Sequence, residues 1–562
     1  MNFRPRRGWR SVLFVVALVA ALEFGGLRAA NESGYPELIL LNGKIFTADA
    51  KEPWVQALAI RAERIIATGD VSKVKALAGP ATKMIDLGGR TVIPGINDAH
   101  NHIGLDPAGV TRLQLGTQDP TWVQLKPALS AAAAKAPKGS FIYGDIGPQV
   151  FHDTSVARDA LDIVAPDHAV LLTTLTGHCV IANSLALEKL GIREDVKDPV
   201  GGRYERDPKG RLTGVIREYA VLHLNRALGM MADDAEATRQ LREFFAQAVR
   251  YGITTTQDMS DGIEPGRASR LFVLAPTPIR VRIMVMPGTT PAGRDTQEGR
   301  GLPAHPSALV TISGTKWLLD GVPIENTLTP RDTSAPHNAD TLEADVRGLP
   351  LTFPPDDMKS MLRESLASGS PMMFHVSGYR SAAAMLDAME AAGGAKVWAG
   401  RRVRFEHGDG LFPDLIPRAK TLGVVVVQNP THLDLPRMLG ASKAPIENVQ
   451  PLRTLMAAGI PVALGSDGPM NPYLNIMLAC IDPGRPSEAI TREQAVIAYT
   501  RTSAYAELDE KDKGTLEPDK LADLAVLSQD IFTVPFAELP KTESVLTLVG
   551  GKIVYDAHVV GR

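Results

Sequence analysis

The sequence predicts an α/β protein: a (β/α)8 barrel, or TIM barrel, with a large insertion after its first strand, and a small β-sandwich domain built from both ends of the chain. Three observations indicate this. Eight short apolar segments alternate with helical segments, which is typical of a parallel α/β fold. One interval, 103–245, is far too long for a simple crossover between strands. Strand-like segments also lie near both ends of the chain.

The eight strand-like segments equal the number of strands in such a barrel. In chain order they are 91–100, 252–258, 279–287, 310–321, 370–378, 401–409, 423–429 and 461–467. Helical segments separate several of them, among which 236–252, 356–369 and 381–394 are the clearest.

The two ends of the chain predict the second domain. Residues 37–47 and 84–95 read as strands, and 56–69 read as a hairpin that turns at Glu63 and Arg64. Residues 522–530 and 544–556 supply further strands near the other end. We therefore predict a β-sandwich formed by 31–94 and 506–562. The barrel would occupy 95–505, with the insertion at about 105–245.

Residues 1–30 have the order of a secretory signal peptide. Arginines at positions 4, 6, 7 and 10 precede an apolar run from Val12 to Leu22, and small residues follow. The run is short for a membrane span. We expect an exported protein, periplasmic or secreted, without stable membrane association after cleavage. An uncleaved anchor is the alternative, and Arg6-Arg7 leaves a twin-arginine route open beside general secretion.

Composition and charge exclude several classes of function. The chain of 562 residues is 44% apolar and 22% charged, which is typical of a globular protein. A net charge of −3 gives no basic excess that would attract nucleic acid. The two cysteines, Cys179 and Cys480, form no CxxC pair, so a thiolate zinc site is not expected. Composition leaves the oligomeric state open, and a homo-oligomer is possible.

Metal-ligand side chains stand at the ends of five predicted strands. The first strand ends in His100 and His102, which share one face because alternate residues of a strand point the same way. The other four residues are Lys316, His375, His407 and Asp467. The carboxyl ends of barrel strands converge on one mouth. Each residue alone has an ordinary structural explanation, but together they predict a site for Zn²⁺ or another divalent ion.

These motifs resemble the amidohydrolase superfamily, and in detail its amidohydrolase 3, YtcJ-like branch, which includes N-substituted formamide deformylase. The similarity extends over nearly all of the chain beyond residue 30. The segments that carry it are 85–102, 177–187, 201–220, 316–321, 404–410, 464–470, 498–506 and 514–527.

The resemblance implies a ligand set. His100 and His102 would hold the more buried ion, and Lys316, carboxylated by CO₂, would bridge it to a second ion held by His375 and His407. Asp467 would contact the attacking water and act as the general base. One or two zinc ions per chain are expected. Two positions depart from the branch: Tyr379 stands where an aspartate is usual, and the bulky Trp317 follows the lysine.

The implied activity is hydrolysis of a non-peptide C–N bond in an amide, a formamide or a related small molecule. His178, in the insertion, would either bind the substrate carbonyl or the transition-state oxygen, or serve in a structural hydrogen bond. Glu218 would serve as a lid contact or as a partner of another site residue, and His432 could line the pocket. An isomerase or lyase on the same metal site, or an exported binding protein without catalysis, is the alternative.

Overall fold

The structure, a computed structural model, describes residues 34–322, 325, 350–434 and 449–561. Its centre is a parallel sheet of eight strands, which we label β1 to β8 in chain order. They are Ile96–Asn101, Ile253–Ser260, Arg280–Val285, Val310–Leu318, Met372–Val376, Arg404–His407, Val425–Gln428 and Val462–Leu464. Each predicted barrel strand is therefore present. The signal peptide predicted at residues 1–30 lies outside the described residues.

The first and last strands lie side by side, so the sheet is a nearly closed barrel. The amide N–H of Asp467, just after β8, donates to the carbonyl of His100 in β1 at 3.0 Å. Gly465 permits this approach, because a Cβ at that position would lie 2.4 Å from the amide nitrogen of His100. Strands such as β7 are buried on both faces, as parallel strands covered by helices require.

Helices connect and cover the strands. Outside the interval between β1 and β2 their bounds are Val71–Lys75, Pro265–Leu274, Pro355–Ser368, Tyr379–Ala391, Gly394–Trp398, Ile416–Thr421, Leu452–Ala458, Pro472–Ile481, Arg492–Ile497 and Ser503–Ala506. Apolar residues of most of these helices join those of the strands in the largest core, which includes Trp317, Phe374 and Trp398, whereas Val71–Lys75 packs in a separate cluster on a terminal sheet.

A second sheet, of six strands, is formed by the residues between β1 and β2. Its strands are Thr111–Arg112, Phe141–Ile146, Ala169–Thr174, Cys179–Ala182, Gly202–Arg206 and Leu212–Glu218. The helices of this interval are Trp122–Ala133, Pro148–Phe151, Arg158–Val164, Ser184–Lys189, Tyr219–Met231 and Asp234–Arg250. Two apolar clusters of its own lie on this sheet. The phenol of Tyr219 accepts the N–H of Leu318 at 2.9 Å, which ties this unit to the end of β4.

Two further sheets lie outside the barrel: the strands of the first all come from near the start of the chain, and those of the second come from both ends. One contains Leu38–Leu41, Ala57–Arg61, Arg64–Gly69 and Lys83–Asp86; the other contains Lys44–Phe46, Trp54–Val55, Thr91–Pro94, Leu524–Leu527, Ser544–Val549 and Lys552–Asp556. One apolar cluster joins them, with Leu40 and Ile60 from the first sheet packed with Val92 and Leu546 from the second.

The segment 84–95 is not one strand, as predicted, but two in different sheets. Gly88 and Gly89, with φ values of +57° and +81°, form the turn that leads from Lys83–Asp86 in one sheet to Thr91–Pro94 in the other. The predicted strand 91–100 is also divided. Gly95 separates Thr91–Pro94 from β1, and a Cβ there would lie 2.1 Å from Oγ1 of Thr254.

Among the described helices, none combines the length and the apolar character that a membrane crossing requires.

Candidate metal centre

His100 and His102, at the end of β1, aim their Nε2 atoms at one point. The two nitrogens are 3.2 Å apart. Two imidazoles bound to one zinc ion at 2.0–2.1 Å in tetrahedral geometry place their nitrogens about 3.3 Å apart. The spacing therefore suits a single shared ion.

A carboxylate holds the opposite nitrogen of each ring. Nδ1 of His100 lies 2.8 Å from Glu406, and Nδ1 of His102 lies 2.9 Å from Asp261. A carboxylate accepts, so each Nδ1 carries a proton, and in the neutral ring Nε2 then presents a lone pair to the shared point. Burial disfavours the charged form of His102, but the neighbouring Asp261 outweighs this and raises the pKa of that ring, so an ion that binds there displaces a proton. This is the arrangement that carboxylate–histidine–metal sites use.

Lys316, in β4, is 1% exposed, and its Nζ is 3.1 Å from Nε2 of His100. Burial lowers the pKa of this amine. A lowered pKa favours the neutral amine, which is the form that reacts with CO₂ to give a carbamate.

Asp467 lies at the centre of the cluster. Its Oδ1 is 3.7 Å from Nε2 of His100 and 3.6 Å from Nε2 of His102. Its other oxygen, Oδ2, is 3.8 Å from Nδ1 of His407 and 3.7 Å from Nε2 of His432. The backbone φ of Asp467 is +37°, in the left-handed region that residues other than glycine rarely adopt. The residues thus form two groups that share Asp467, each with the donor atoms of a metal site.

His375 and His407 end β5 and β6, and their ring centres are 4.6 Å apart. Nδ1 of His407 is buried without a hydrogen-bond partner among the described residues. Burial holds the pKa values of both rings, and of His100, well below the usual value. Neutral imidazole is the form that binds metal.

His178 reaches the mouth from the six-stranded sheet, with its ring centre 5.0 Å from that of His375. Its Nδ1 lies 2.7 Å from a carboxylate oxygen of Glu218. Burial disfavours the charged ring, but the neighbouring Glu218 outweighs this and the pKa of His178 is raised to about 9. Glu218 itself has φ +51°, a strained value held by the surrounding structure.

All the residues predicted for the site therefore lie around one mouth. Sequence reasoning missed Glu406 and Asp261 as partners of the histidine pair, and it placed His432 only near the pocket. The ring of His432 stacks on His407 at 5.6 Å, and its Nε2 donates to the carbonyl of Asp467 at 3.0 Å.

The two departures from the branch pattern have their recorded partners outside the ligand cluster. The hydroxyl of Tyr379 donates to Asp414 at 2.7 Å. Another carboxylate, Asp320, binds the turn after β5: it accepts the N–H groups of Ser377 and Gly378 at 3.1 and 2.6 Å. Trp317 is buried beside Arg294.

The Amidohydro_3 model of the amidohydrolase family matches residues 83–555, which is most of the chain. The chain belongs to the amidohydrolase family. The match covers the barrel, the six-stranded unit and parts of both terminal sheets. Together with the candidate ligand groups, membership supports metal-dependent hydrolysis as the class of activity of this amidohydrolase.

Curated relatives agree on the branch. The chain is 28% identical to Protein LONG AFTER FAR-RED 3 of Arabidopsis thaliana, covering 92% of this chain and 91% of the relative. It is 24% identical to the N-substituted formamide deformylase of Arthrobacter pascens and 25% identical to the putative amidohydrolase YtcJ of Bacillus subtilis, in each case over 92% of this chain and 98% of the relative. This amidohydrolase therefore falls in the predicted amidohydrolase 3, YtcJ-like branch.

Solved structures agree on the fold. An uncharacterized metal-dependent hydrolase from Pyrococcus horikoshii OT3 matches with a TM-score of 0.65 at 20% identity, over 89% of this chain and 99% of the other. The atrazine chlorohydrolase TrzN of Arthrobacter aurescens TC1, in a complex with zinc and atraton, matches with a TM-score of 0.51 at 16% identity, over 92% and 95%.

Proposed function

We propose that this amidohydrolase is an exported, metal-dependent hydrolase that cleaves a non-peptide C–N bond in a small amide or formamide. The observation that carries the proposal is a pair of donor groups that share Asp467, one with His100 and His102 and one with His407 and His432, with the buried Lys316 3.1 Å from Nε2 of His100. The name of the formamide deformylase relative, which covers nearly the full length, favours an amide or formamide substrate.

The residues present fit a divalent cation. The Nε2 spacing of 3.2 Å between His100 and His102 suits one ion, and Nδ1 of His407 is buried among described residues without a hydrogen-bond partner. We propose as ligands His100, His102, Lys316, His375, His407 and Asp467. Zinc is the proposed ion because neutral imidazoles and a carboxylate are its usual ligands. Lys316 would act as its carbamate, since an ammonium offers only donors.

A bound divalent ion would supply an acidified water and polarise the substrate carbonyl. Asp467 accepts the proton of the attacking water on a carboxylate oxygen and returns it to the leaving nitrogen, which makes it general base and then general acid. Its central position reaches both ligand groups without a large movement.

His178 acts on the substrate oxygen. Because its Nδ1 is engaged by Glu218, its remaining N–H at Nε2 is free to donate to the carbonyl oxygen as negative charge develops there. The raised pKa keeps this donor protonated at neutral pH.

The first experiment is the metal content of the mature protein, purified after expression with added bicarbonate and measured by inductively coupled plasma mass spectrometry. About two zinc ions per chain would support a carbamate of Lys316 acting with both histidine pairs, and about one would support a mononuclear site. A screen of amides and formamides in H₂¹⁸O would then test the reaction, because hydrolysis places ¹⁸O in the acid product. A protein that binds no divalent ion would contradict the proposal.

Export is proposed from residues 1–30 alone. Fractionation of cells that express the full chain is expected to place a shortened protein outside the cytoplasm, and retention of the full-length chain in the cytoplasm would contradict it.

A further inference from the structure

The two halves of the ligand cluster differ in what supports their imidazoles. On the β1 side each ring is engaged by a carboxylate, Glu406 at 2.8 Å from His100 and Asp261 at 2.9 Å from His102. On the other side, Nδ1 of His407 has no hydrogen-bond partner among the described residues. Nε2 of His375 has uncharged partners, the carbonyl of Gly321 at 3.4 Å and the hydroxyl of Ser377 at 3.2 Å, and its nearest carboxylate oxygen, of Asp320, is 3.7 Å away.

The supporting carboxylates are themselves fixed. Arg404 donates to both oxygens of Glu406 at 2.9 and 3.0 Å, and both side chains are almost fully buried. Asn225 donates to the second oxygen of Asp261 at 3.2 Å. Each histidine of β1 is therefore the end of a chain of three side chains, which fixes its ring plane and its tautomer before an ion arrives.

We propose that the cluster holds metal ions in a fixed order of affinity: the position at His100 and His102 binds first and most tightly, with Glu406 and Asp261 as the positioning residues that create the difference. This inference rests on the metal site of the proposed function. It goes further by assigning unequal affinity to the two halves and by naming the two carboxylates that cause it.

The physical reason is preorganisation. A carboxylate on Nδ1 raises the basicity of the ring and points its lone pair at the ion, so binding requires little rearrangement. In the opposite half the partners of His375 are an uncharged carbonyl and a hydroxyl, which raise the basicity of the ring less than a carboxylate does.

The test removes the charge of each carboxylate and measures zinc retention. Zinc-loaded wild type, Glu406→Gln and Asp261→Asn are dialysed against buffers of stepwise lower free zinc set by dipicolinate, and bound zinc is measured by mass spectrometry. The wild type is expected to retain one ion to the lowest free zinc. Both variants are expected to release that ion at about 10–100-fold higher free zinc.

A matched control is Asp523→Asn. Asp523 is a buried carboxylate paired with Arg280 at 2.8 Å, at the start of β3 and so at the opposite end of the barrel, and its loss is expected to leave zinc retention unchanged. Circular dichroism checks that each variant folds. If one variant does not fold, the other carries the test.

The outcomes separate this inference from the proposed function. A wild type that binds no zinc would overturn both. Zinc retained by both variants as tightly as by the wild type would overturn this inference alone, as would loss of the tightest ion in His407→Ala while Glu406→Gln keeps it.

Discussion

Asp467 stands between four imidazoles, with a carboxylate oxygen 3.6–3.8 Å from each of them. We expect Asp467→Asn to retain its metal and to lose about 10²–10⁴-fold in kcat, because an amide cannot carry the proton from the water to the leaving nitrogen. Metal content and kcat on the amide found by the screen are the two measurements. A variant with wild-type kcat would remove Asp467 from the mechanism.

Glu218 orients His178 through a hydrogen bond of 2.7 Å. Glu218→Gln is expected to lower kcat about tenfold or more with little change in KM, since the partner that charges and aligns His178 is lost. The matched control is Glu205→Gln, the same change in the same sheet, at a carboxylate that pairs with Arg217 rather than with His178. Equal effects of the two substitutions would show that the loss is structural.

The positions of the candidate ligands could be predicted because parallel strands of a barrel all end at one mouth. Recognising the strand that carries each residue was therefore enough to place that residue at the mouth. The hydrogen-bond partners of the histidines could not be predicted in this way. Residues 406 and 407 are adjacent in β6, and strand alternation would place them on opposite faces. His407 has φ +66°, which ends the alternation and lets both side chains meet the cluster. No pattern in the sequence pairs Asp261 with His102.

At the scale of elements, the contact of β8 with β1 depends on a missing side chain. A Cβ at Gly465 would meet the amide nitrogen and the Cβ of His100 at 2.4 and 2.5 Å. We expect Gly465→Ala to lower the free energy of unfolding by about 1–3 kcal/mol and to weaken metal retention, because the backbone that carries the histidine pair must shift. Denaturant unfolding and zinc retention measure the two effects.

Gly400→Ala is the control for this substitution. A Cβ there meets nothing within 4 Å, and its φ lies outside the left-handed region. A loss of stability equal to that of Gly465→Ala would contradict the steric explanation.

The sequence predicted the strands of the barrel better than those of the terminal sheets. Barrel strands are continuous apolar runs between helices, so their limits are visible. The segments 84–95 and 91–100 are apolar runs as well, but glycines divide them between sheets. Gly95 and Gly88-Gly89 act through backbone geometry and close approach, which the apolar pattern does not record.

At the scale of the whole molecule, buried carboxylates set the pH dependence of stability. Burial raises the pKa of Asp258 to about 7. Because this exceeds the unfolded value of about 3.9, its stabilising contribution is fully present below pH ~4 and is lost as the pH rises through 7. Asp258→Asn is expected to remove that loss.

The measurement is the free energy of unfolding of wild type and Asp258→Asn at pH 5 and pH 8, from denaturant titrations. The free energy of unfolding of the variant, relative to that of the wild type, is expected to be higher at pH 8 than at pH 5. A difference that does not change with pH would contradict the assignment of Asp258 as a buried, neutral acid at low pH.

The terminal sheets have a consequence for the order in which the chain folds. Thr91–Pro94, which leads directly into the first metal-ligand strand, pairs with Leu524–Leu527, and Lys44 meets Asp530, 486 positions away, at 2.6 Å. Contacts of such sequence separation form late, because closing so large a loop must precede any gain from the contact. During synthesis Thr91–Pro94 can pair with Lys44–Phe46 on one edge, but its other edge stays open until Leu524–Leu527 has been made. A nascent chain in that state exposes sheet edges and needs protection from aggregation.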